Sequence, residues 1–278
     1  MISFKEDHIS QIPALLMLEK FGYTYLTPDE ALALRGGNLA NVLLEPVLRK
    51  QLAAINVVQV SSMRTTVFSE QNITAGIDAL RNIPMDEGFM EASQTVYDLL
   101  TSGKTLEQIV DGDRKSFVMQ YIDWKNPRNN VFHVTEEFAV SRTGMTETYR
   151  PDIVLFVNGI PLCVIECKRP DVKDSIEQAI SQHLRNQKAD GIRSLYLYST
   201  LLLAINRQEG SYATTATPEK FWARWREQFA DREAEARYRQ ELERVVNEPL
   251  LDDKLFGERF GYVRRNFEEL YRQPVTPS

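Results

Sequence analysis

Residues 150–170 read RPDIVLFVNGIPLCVIECKRP. Two apolar runs flank Asn158-Gly159, a dipeptide that favours a tight hairpin because both positions tolerate positive φ. Charges stand only at the open end: Asp152 where the first run begins, Glu166 and Lys168 where the second finishes. Strand side chains alternate, so Glu166 and Lys168 share a face and Cys167 points the other way. A plain two-residue loop would set Asp152 opposite Ile165, on the wrong face for Glu166. An odd loop or a bulge sets Asp152 opposite Glu166, and that arrangement is expected here. One face then carries Val154, Phe156, Leu162 and Val164, the other Ile153, Leu155, Cys163 and Ile165. A strand pair apolar on both sides belongs inside a sheet covered on both faces.

In such a place an unpaired carboxylate is costly. Two carboxylates side by side repel, and one of them is pushed to a higher pKa. A divalent cation removes both penalties, and ligation by oxygen alone, with room left for water and phosphate, suits Mg²⁺, with Mn²⁺ as a substitute. Lys168 is then placed to hold or help deprotonate an attacking water, while the metal offsets charge growing on a phosphate. The plainer reading of Glu-x-Lys alone is a surface ion pair at a strand end. The Pro-Asp upstream and the apolar strands between favour chemistry.

Pro151-Asp152 with Glu166-Cys167-Lys168 resembles the PD-(D/E)XK nuclease signature. The longer wording, RPDIVLFVNGIPLCVIECK, resembles the nuclease region of the restriction (R) subunit of type I restriction-modification enzymes. NVFHVTEEFAV, LEKFGYTY and LLEPVLRKQLAAIN fit that family too, so the resemblance covers roughly residues 15–225. It implies a restriction-endonuclease-like α/β core, a mixed β-sheet flanked by helices. Asp152 and Glu166 become metal ligands, the Cys167 backbone carbonyl a further ligand, and Lys168 the catalytic lysine. Double-stranded DNA is the implied substrate; modification and specificity subunits are the implied partners, with target recognition assigned to the specificity subunit. The family usually carries Gln-x-x-x-Tyr on the next helix. Here Gln182 matches and Asn186 stands in place of the tyrosine, on the same polar face, where an amide pair can substitute; a solvated helix position is the alternative for Gln182. An acidic residue from an N-terminal helix often joins such sites; Glu45 is the candidate, with a surface role as its alternative.

Around this hairpin the chain is ordinary. Its 278 residues are 43% hydrophobic and 26% charged, near globular averages. A net charge of −6 argues against a general nucleic-acid coat but leaves room for one local basic patch, such as Lys168, Arg169, Lys173, Arg185 and Lys188. Two cysteines and no basic-then-apolar leader fit a cytoplasmic protein. The densest apolar run, LYLYSTLLLAI, is too short to span a bilayer as a helix, so no membrane is expected.

The expected layout is one nuclease domain with elaborations: a mainly helical part over 1–125, the α/β core over 126–210 and a helical part over 217–272. Helical stretches are expected at 7–20, after Pro28, through NLANVLLEPVLRKQLAAIN around Pro46, and at EASQTVYDLL and SFVMQYIDW. VFHVTEEFAV, SLYLYS and LLLAINR read as strands and DSIEQAISQHLRNQ as an amphipathic helix. From TPEKFWARWREQF onward the pattern is helical and charged, with Trp222 and Trp225 as anchors.

Several features are set aside. SGKT at 102–105 lacks the glycine that a phosphate-binding loop needs five residues before Gly103, so no ATP site is expected. The resemblance implies that a full R subunit also contains an ATP-driven translocase, of which this chain would be the front part, or a free-standing relative. Cys163 and Cys167 lie about 13 Å apart along one strand, too far to share a zinc or a disulfide. His8, His133 and His183 are scattered, and His183 reads as core packing. SYATTATP reads as a polar loop. A rival functional reading is a silent nuclease-fold scaffold that docks onto restriction or repair partners; a weaker one is a repair nuclease.

Overall fold

The computed structural model describes residues 11–61, 64–206 and 208–247. Its frame is a seven-stranded mixed sheet with the quoted hairpin at the centre. The helices are α1 (Ile12–Lys20), α2 (Pro28–Ala33), α3 (Glu45–Ile55), α4 (Glu70–Arg81), α5 (Phe89–Ser102), α6 (Ser175–Asn186), α7 (Arg193–Tyr196) and α8 (Arg232–Asn247). The strands of the main sheet are β1 (Thr24–Leu26), β6 (Phe132–Glu136), β9 (Ile153–Val157), β10 (Ile160–Cys167), β11 (Leu201–Ile205), β12 (Gly210–Ala213) and β13 (Ala223–Arg224), adjacent in that order. Three hairpins stand apart: β2 (Val57–Ser61) with β3 (Arg64–Val67), β4 (Lys104–Val110) with β5 (Asp113–Met119), and β7 (Val140–Ser141) with β8 (Thr148–Tyr149). The β1–β6 and β10–β11 pairs are parallel and the other pairs of the main sheet are antiparallel. This is the expected mixed α/β architecture of a restriction-endonuclease-like core.

The hairpin takes the bulged form. Asn158 and Gly159 make a two-residue turn, with Ile160 opposite Val157 and Pro161 opposite Phe156. The register then slips by one: Cys163 faces Leu155, Val164 faces Val154 and Ile165 faces Ile153. Leu162 is the extra residue, and continuing the shifted register brings Glu166 opposite Asp152. Both faces are covered. Val154, Phe156 and Val164 join the core under α3, α4 and α5, while Ile153, Leu155, Cys163, Ile165 and Cys167 pack with Leu15 of α1 and Tyr25. Helix α6 lays Ile176, Ala179 and Ile180 over Ala204, the β11 partner of Glu166.

The turn itself is buried, which is unusual for a hairpin tip. Asn158 Oδ1 accepts from Val131 N at 3.0 Å, and its Nδ2 donates to the Tyr121 carbonyl at 2.9 Å and to Asn130 Oδ1 at 2.8 Å. Gly159 has φ +84°, and a Cβ there would sit 2.6 Å from the Leu44 carbonyl oxygen; its own carbonyl caps α3 by accepting from Leu44 N. The hairpin tip thus anchors the N-terminus of α3.

Other expectations need correction. SFVMQYIDW is not helical: Ser116–Met119 finish β5, paired along its whole length with β4 around an Asp111-Gly112 turn. With β2 and β3, the described residues up to 125 hold two hairpins beside their helices. SLYLYS is not a strand: Arg193–Tyr196 form α7, and Leu195 to Tyr198 are all buried. A short apolar run enclosed on every side has no periodicity by which helix and strand can be told apart. Helix α3 begins only at Glu45, because Pro46 costs nothing in a first turn, where its missing N–H has no partner anyway. The run from 217 forms a short 3₁₀ turn and β13 before α8 starts at Arg232. Trp222 packs against the core and Trp225 is 60% exposed, stacked edge-on to Tyr212. SYATTATP is half strand, its first residues belonging to β12. His8, part of the 7–20 helix and the C-terminal 248–272 lie outside the described residues. Among those described, no helix is long and apolar enough to cross a membrane.

Asn158→Ala removes three buried hydrogen bonds and leaves a non-glycine residue without its amide at φ +53°. The expected loss is about 3 kcal/mol or more of folding free energy, read as a lower urea midpoint. An unchanged midpoint would show that the turn does not hold the hairpin to the core.

Candidate active site

Three elements meet at the open end of the hairpin: the approach to β9, the end of β10 and one face of α6. Asp152 precedes β9, and its Oδ2 accepts from Cys167 N at 2.6 Å. Its backbone carbonyl is held by Glu137 N at 3.0 Å and by Gln11 Nε2 at 3.1 Å. Glu166, the penultimate residue of β10, is fully buried. Gln182 Nε2 donates to Glu166 Oε2 at 2.6 Å, and Asn186 Nδ2 donates to Oε1 at 3.3 Å. Lys168 Nζ donates to the Cys167 carbonyl at 3.0 Å and stands 3.9 Å from Asp152 Oδ2, both side chains mostly covered.

Spacing explains the convergence. Gln182 and Asn186 are four apart on α6 and share one face, as do Ile176, Ala179, Ile180 and His183 on the apolar side. Where the polar face meets the sheet, it meets Glu166. The electrostatics follow from burial. Desolvation, then the neighbouring Asp152 charge, hold the Glu166 pKa well above its ordinary value. Lys168 and Arg185 act in the opposite direction.

Asp152, Glu166, Lys168 and Gln182 are therefore neighbours, and Asn186 is with them. Glu45 is not drawn in: its carboxylate is taken by Arg49 and Arg81. Two residues were missed. Glu136, buried beside Ile153 at the end of β6, accepts from Tyr25 Oη at 2.7 Å and from Gln11 Nε2 at 3.2 Å, so Gln11 ties it to the Asp152 carbonyl. Its signal was a carboxylate ending an alternating strand. Tyr196 of α7 reaches Asn186 and His183; nothing in its short apolar run marked it. His183 is core, as expected, with both ring nitrogens in hydrogen bonds.

The oxygens that converge here belong to Asp152, Glu166 and the Cys167 carbonyl. Among the described residues no third histidine, cysteine or acidic side chain completes a cluster. The donor set is hard and incomplete, which suits a cation that keeps water or phosphate in its remaining positions. The corner already draws positive charge, since the Lys168 ammonium bridges Cys167 O and Asp152. A groove of about 430 Å³ opens beside it, lined by Lys168, Ser181, Gln182 and Arg185 on one part and Asp174 and Glu177 on another. SGKT lies where α5 ends and β4 begins, the reverse of the strand-to-helix order of a phosphate-binding loop.

The family model for the type I restriction enzyme R protein N terminus matches residues 3–221. The chain belongs to that family. It is 27% identical over 228 residues to the putative type I restriction enzyme MjaIXP endonuclease subunit of Methanocaldococcus jannaschii, covering 79% of this chain and 20% of that protein. It is 28% identical over 206 residues to the type I restriction enzyme HindI endonuclease subunit of Haemophilus influenzae, covering 71% and 18%. A shorter stretch of 69 residues is 44% identical to the MjaVIIP endonuclease subunit of M. jannaschii, covering 24% of this chain and 6% of that protein. The chain spans about a fifth of the length of the first two relatives. Relatives named as endonuclease subunits support a nuclease role in a restriction system.

The raised Glu166 pKa has a definite sign. The folded chain keeps a proton that the unfolded chain releases above its ordinary value of 4.5. The resulting stabilisation is present below that value and is lost as pH rises through the folded pKa. In metal-free buffer, melting temperature should fall as pH is raised above 4.5, and Glu166→Gln should flatten the slope and raise the value at the upper end. Parallel pH profiles for wild type and variant would contradict the shift.

Proposed function

We propose that this chain is the DNA-cleaving part of a type I restriction enzyme R subunit, a PD-(D/E)XK deoxyribonuclease that hydrolyses phosphodiester bonds with Mg²⁺, or Mn²⁺ in its place. The observation that carries the reading is Glu166, fully buried at the end of β10 beside the Asp152 charge, with Lys168 Nζ 3.9 Å from Asp152 Oδ2. A carboxyl group whose charged form is disfavoured by burial and by a second carboxylate is one that a divalent ion would relieve.

Asp152, Glu166 and the Cys167 carbonyl would hold the metal. The chemistry Mg²⁺ supplies, when bound, is neutralisation of charge on the phosphoryl oxygens. The chain's own residues do the rest. Cys167 N orients the Asp152 carboxylate, while Gln182 and Asn186 hold Glu166 by its two oxygens and keep water from it. Lys168 presents its N–H groups at the open end, where they orient the attacking water and stabilise charge that develops in the transition state. Arg185, Ser181 and Gln182 line the groove in which a DNA phosphate would lie.

Modification and specificity subunits are the partners this reading requires, and double-stranded DNA its substrate. Cys163 and Cys167, both buried free thiols, accord with work in the reducing cytoplasm.

In the enzyme assembled with its modification and specificity subunits, Lys168→Ala should slow cleavage of target DNA by at least ~100-fold while DNA binding holds. Cleavage at the wild-type rate would overturn the assignment.

A further inference from the structure

Behind Glu166 runs a line of buried polar groups that cleavage does not itself require: Asn186, Tyr196 and His183. Taking the proposed function as its basis, we propose that Tyr196 is a positioning residue for this site: acting through Asn186, it fixes the Glu166 carboxylate in the orientation that receives the metal.

The direction of every hydrogen bond in the line is determined. The Leu203 carbonyl can only accept, so the proton of His183 lies on Nε2, 2.9 Å away. Burial lowers the His183 pKa to about 4, so the ring is neutral and Nδ1 carries no hydrogen. The Tyr196 hydroxyl, 3.0 Å from Nδ1, must therefore donate to it. Its oxygen is then left to accept, and Asn186 Nδ2 stands 3.4 Å from it. The Asn186 amide cannot flip, because Arg185 Nε and a terminal guanidinium nitrogen donate to its Oδ1 at 3.2 and 3.0 Å. The two hydrogens of Nδ2 thus divide between Tyr196 Oη and Glu166 Oε1. Turning any member round would point a buried donor at a donor or an acceptor at an acceptor.

Tyr196 arrives from α7 and is absent from the residues that line the groove. It is fully buried, its ring edge-on to His183 at 5.9 Å. Of the two side chains its hydroxyl bonds, Asn186 is the one that touches Glu166. Partners that orient a ligating side chain in this way are typically worth ~10–100-fold in metal affinity.

The test is calorimetric titration of Mn²⁺ into the whole chain. Tyr198 supplies the control for a purely structural role: its hydroxyl is also buried and donates to a backbone carbonyl, that of Leu80, at 2.8 Å. Tyr196→Phe should weaken Mn²⁺ binding by ~10–100-fold, whereas Tyr198→Phe should lower the melting temperature comparably and leave affinity within about twofold. Asn186→Ala should weaken binding by a similar factor, and the Tyr196→Phe, Asn186→Ala double variant should be no worse than Asn186→Ala alone. The inference is overturned if Tyr196→Phe binds like wild type, if Tyr198→Phe weakens binding equally, or if Asn186→Ala leaves affinity intact. The last outcome decides even if Tyr196→Phe does not fold. Glu166→Ala separates the two levels. If it abolishes binding while Tyr196→Phe does not weaken it, the inference alone falls. If Glu166→Ala matches wild type, whether both bind or neither does, the proposed function falls and takes the inference with it.

Discussion

A carboxylate with no solvent exposure, at the end of a strand that is apolar on both faces, sets the terms for much of this molecule. Glu166 cannot be hydrated where it stands, so its charge must be answered by the protein. Two amides from α6 donate to its two oxygens, and burial together with the neighbouring Asp152 charge raises its pKa. These needs fix α6 against β10 and β11, since Gln182 and Asn186 must reach inward while Ile176, Ala179 and Ile180 cover Ala204. They also fix the approach to β9, since Asp152 must arrive opposite Glu166.

The register that brings Asp152 there depends on a single extra residue. Asn158-Gly159 alone would produce a two-residue hairpin in which Asp152 faces away from Glu166. The bulge at Leu162 shifts the pairing by one between the tip and the open end. The tip can then obey local turn chemistry while the other end obeys the site. Because side chains alternate along a strand, a one-residue slip would move every apolar group to the other face. The buried tip, pinned by Asn158 and capping α3, resists such a slip.

This part of the chain was legible because several signals agreed: a turn dipeptide, alternation, and charges that make no sense on so apolar a hairpin unless they meet. Elsewhere one signal had to serve alone. Asp111-Gly112 is the same kind of turn dipeptide as Asn158-Gly159, yet β4 and β5 flank it with mixed residues, and Ile109 and Val118 stand exposed. With apolar side chains on the exposed face as well as the covered one, the alternation is weak, and the Phe117–Met119 end of β5 passes for helix. In SLYLYS the opposite holds: every residue from Leu195 to Tyr198 is buried, so no face is distinguished. That Asn186 shares a helix face with Gln182 is legible, because helical spacing is local. Tyr196 and Glu136 were not legible, because what makes them part of the site is tertiary. Gln11 and Tyr25 reach Glu136 across more than 100 residues of chain.

That division between local and tertiary signals bears on how the site works. The residues that would touch metal and phosphate lie within one hairpin and the helix after it, so their order in sequence is constrained by chemistry. The residues that hold them still come from α1, β1, β6 and α7, and are constrained only by reach and by hydrogen-bond direction. A supporting tyrosine can therefore come from any element able to deliver a hydroxyl to the right point, provided that an acceptor behind it takes the proton. His183, neutral by burial and committed through Nε2 to a carbonyl, is such an acceptor. The amide at position 186 carries the constraint forward, with Arg185 holding its oxygen away from Glu166. Replacing that amide with a larger side chain would not merely change a contact to Glu166. It would leave the Tyr196 hydroxyl without its donor, so the pair must be understood as one unit.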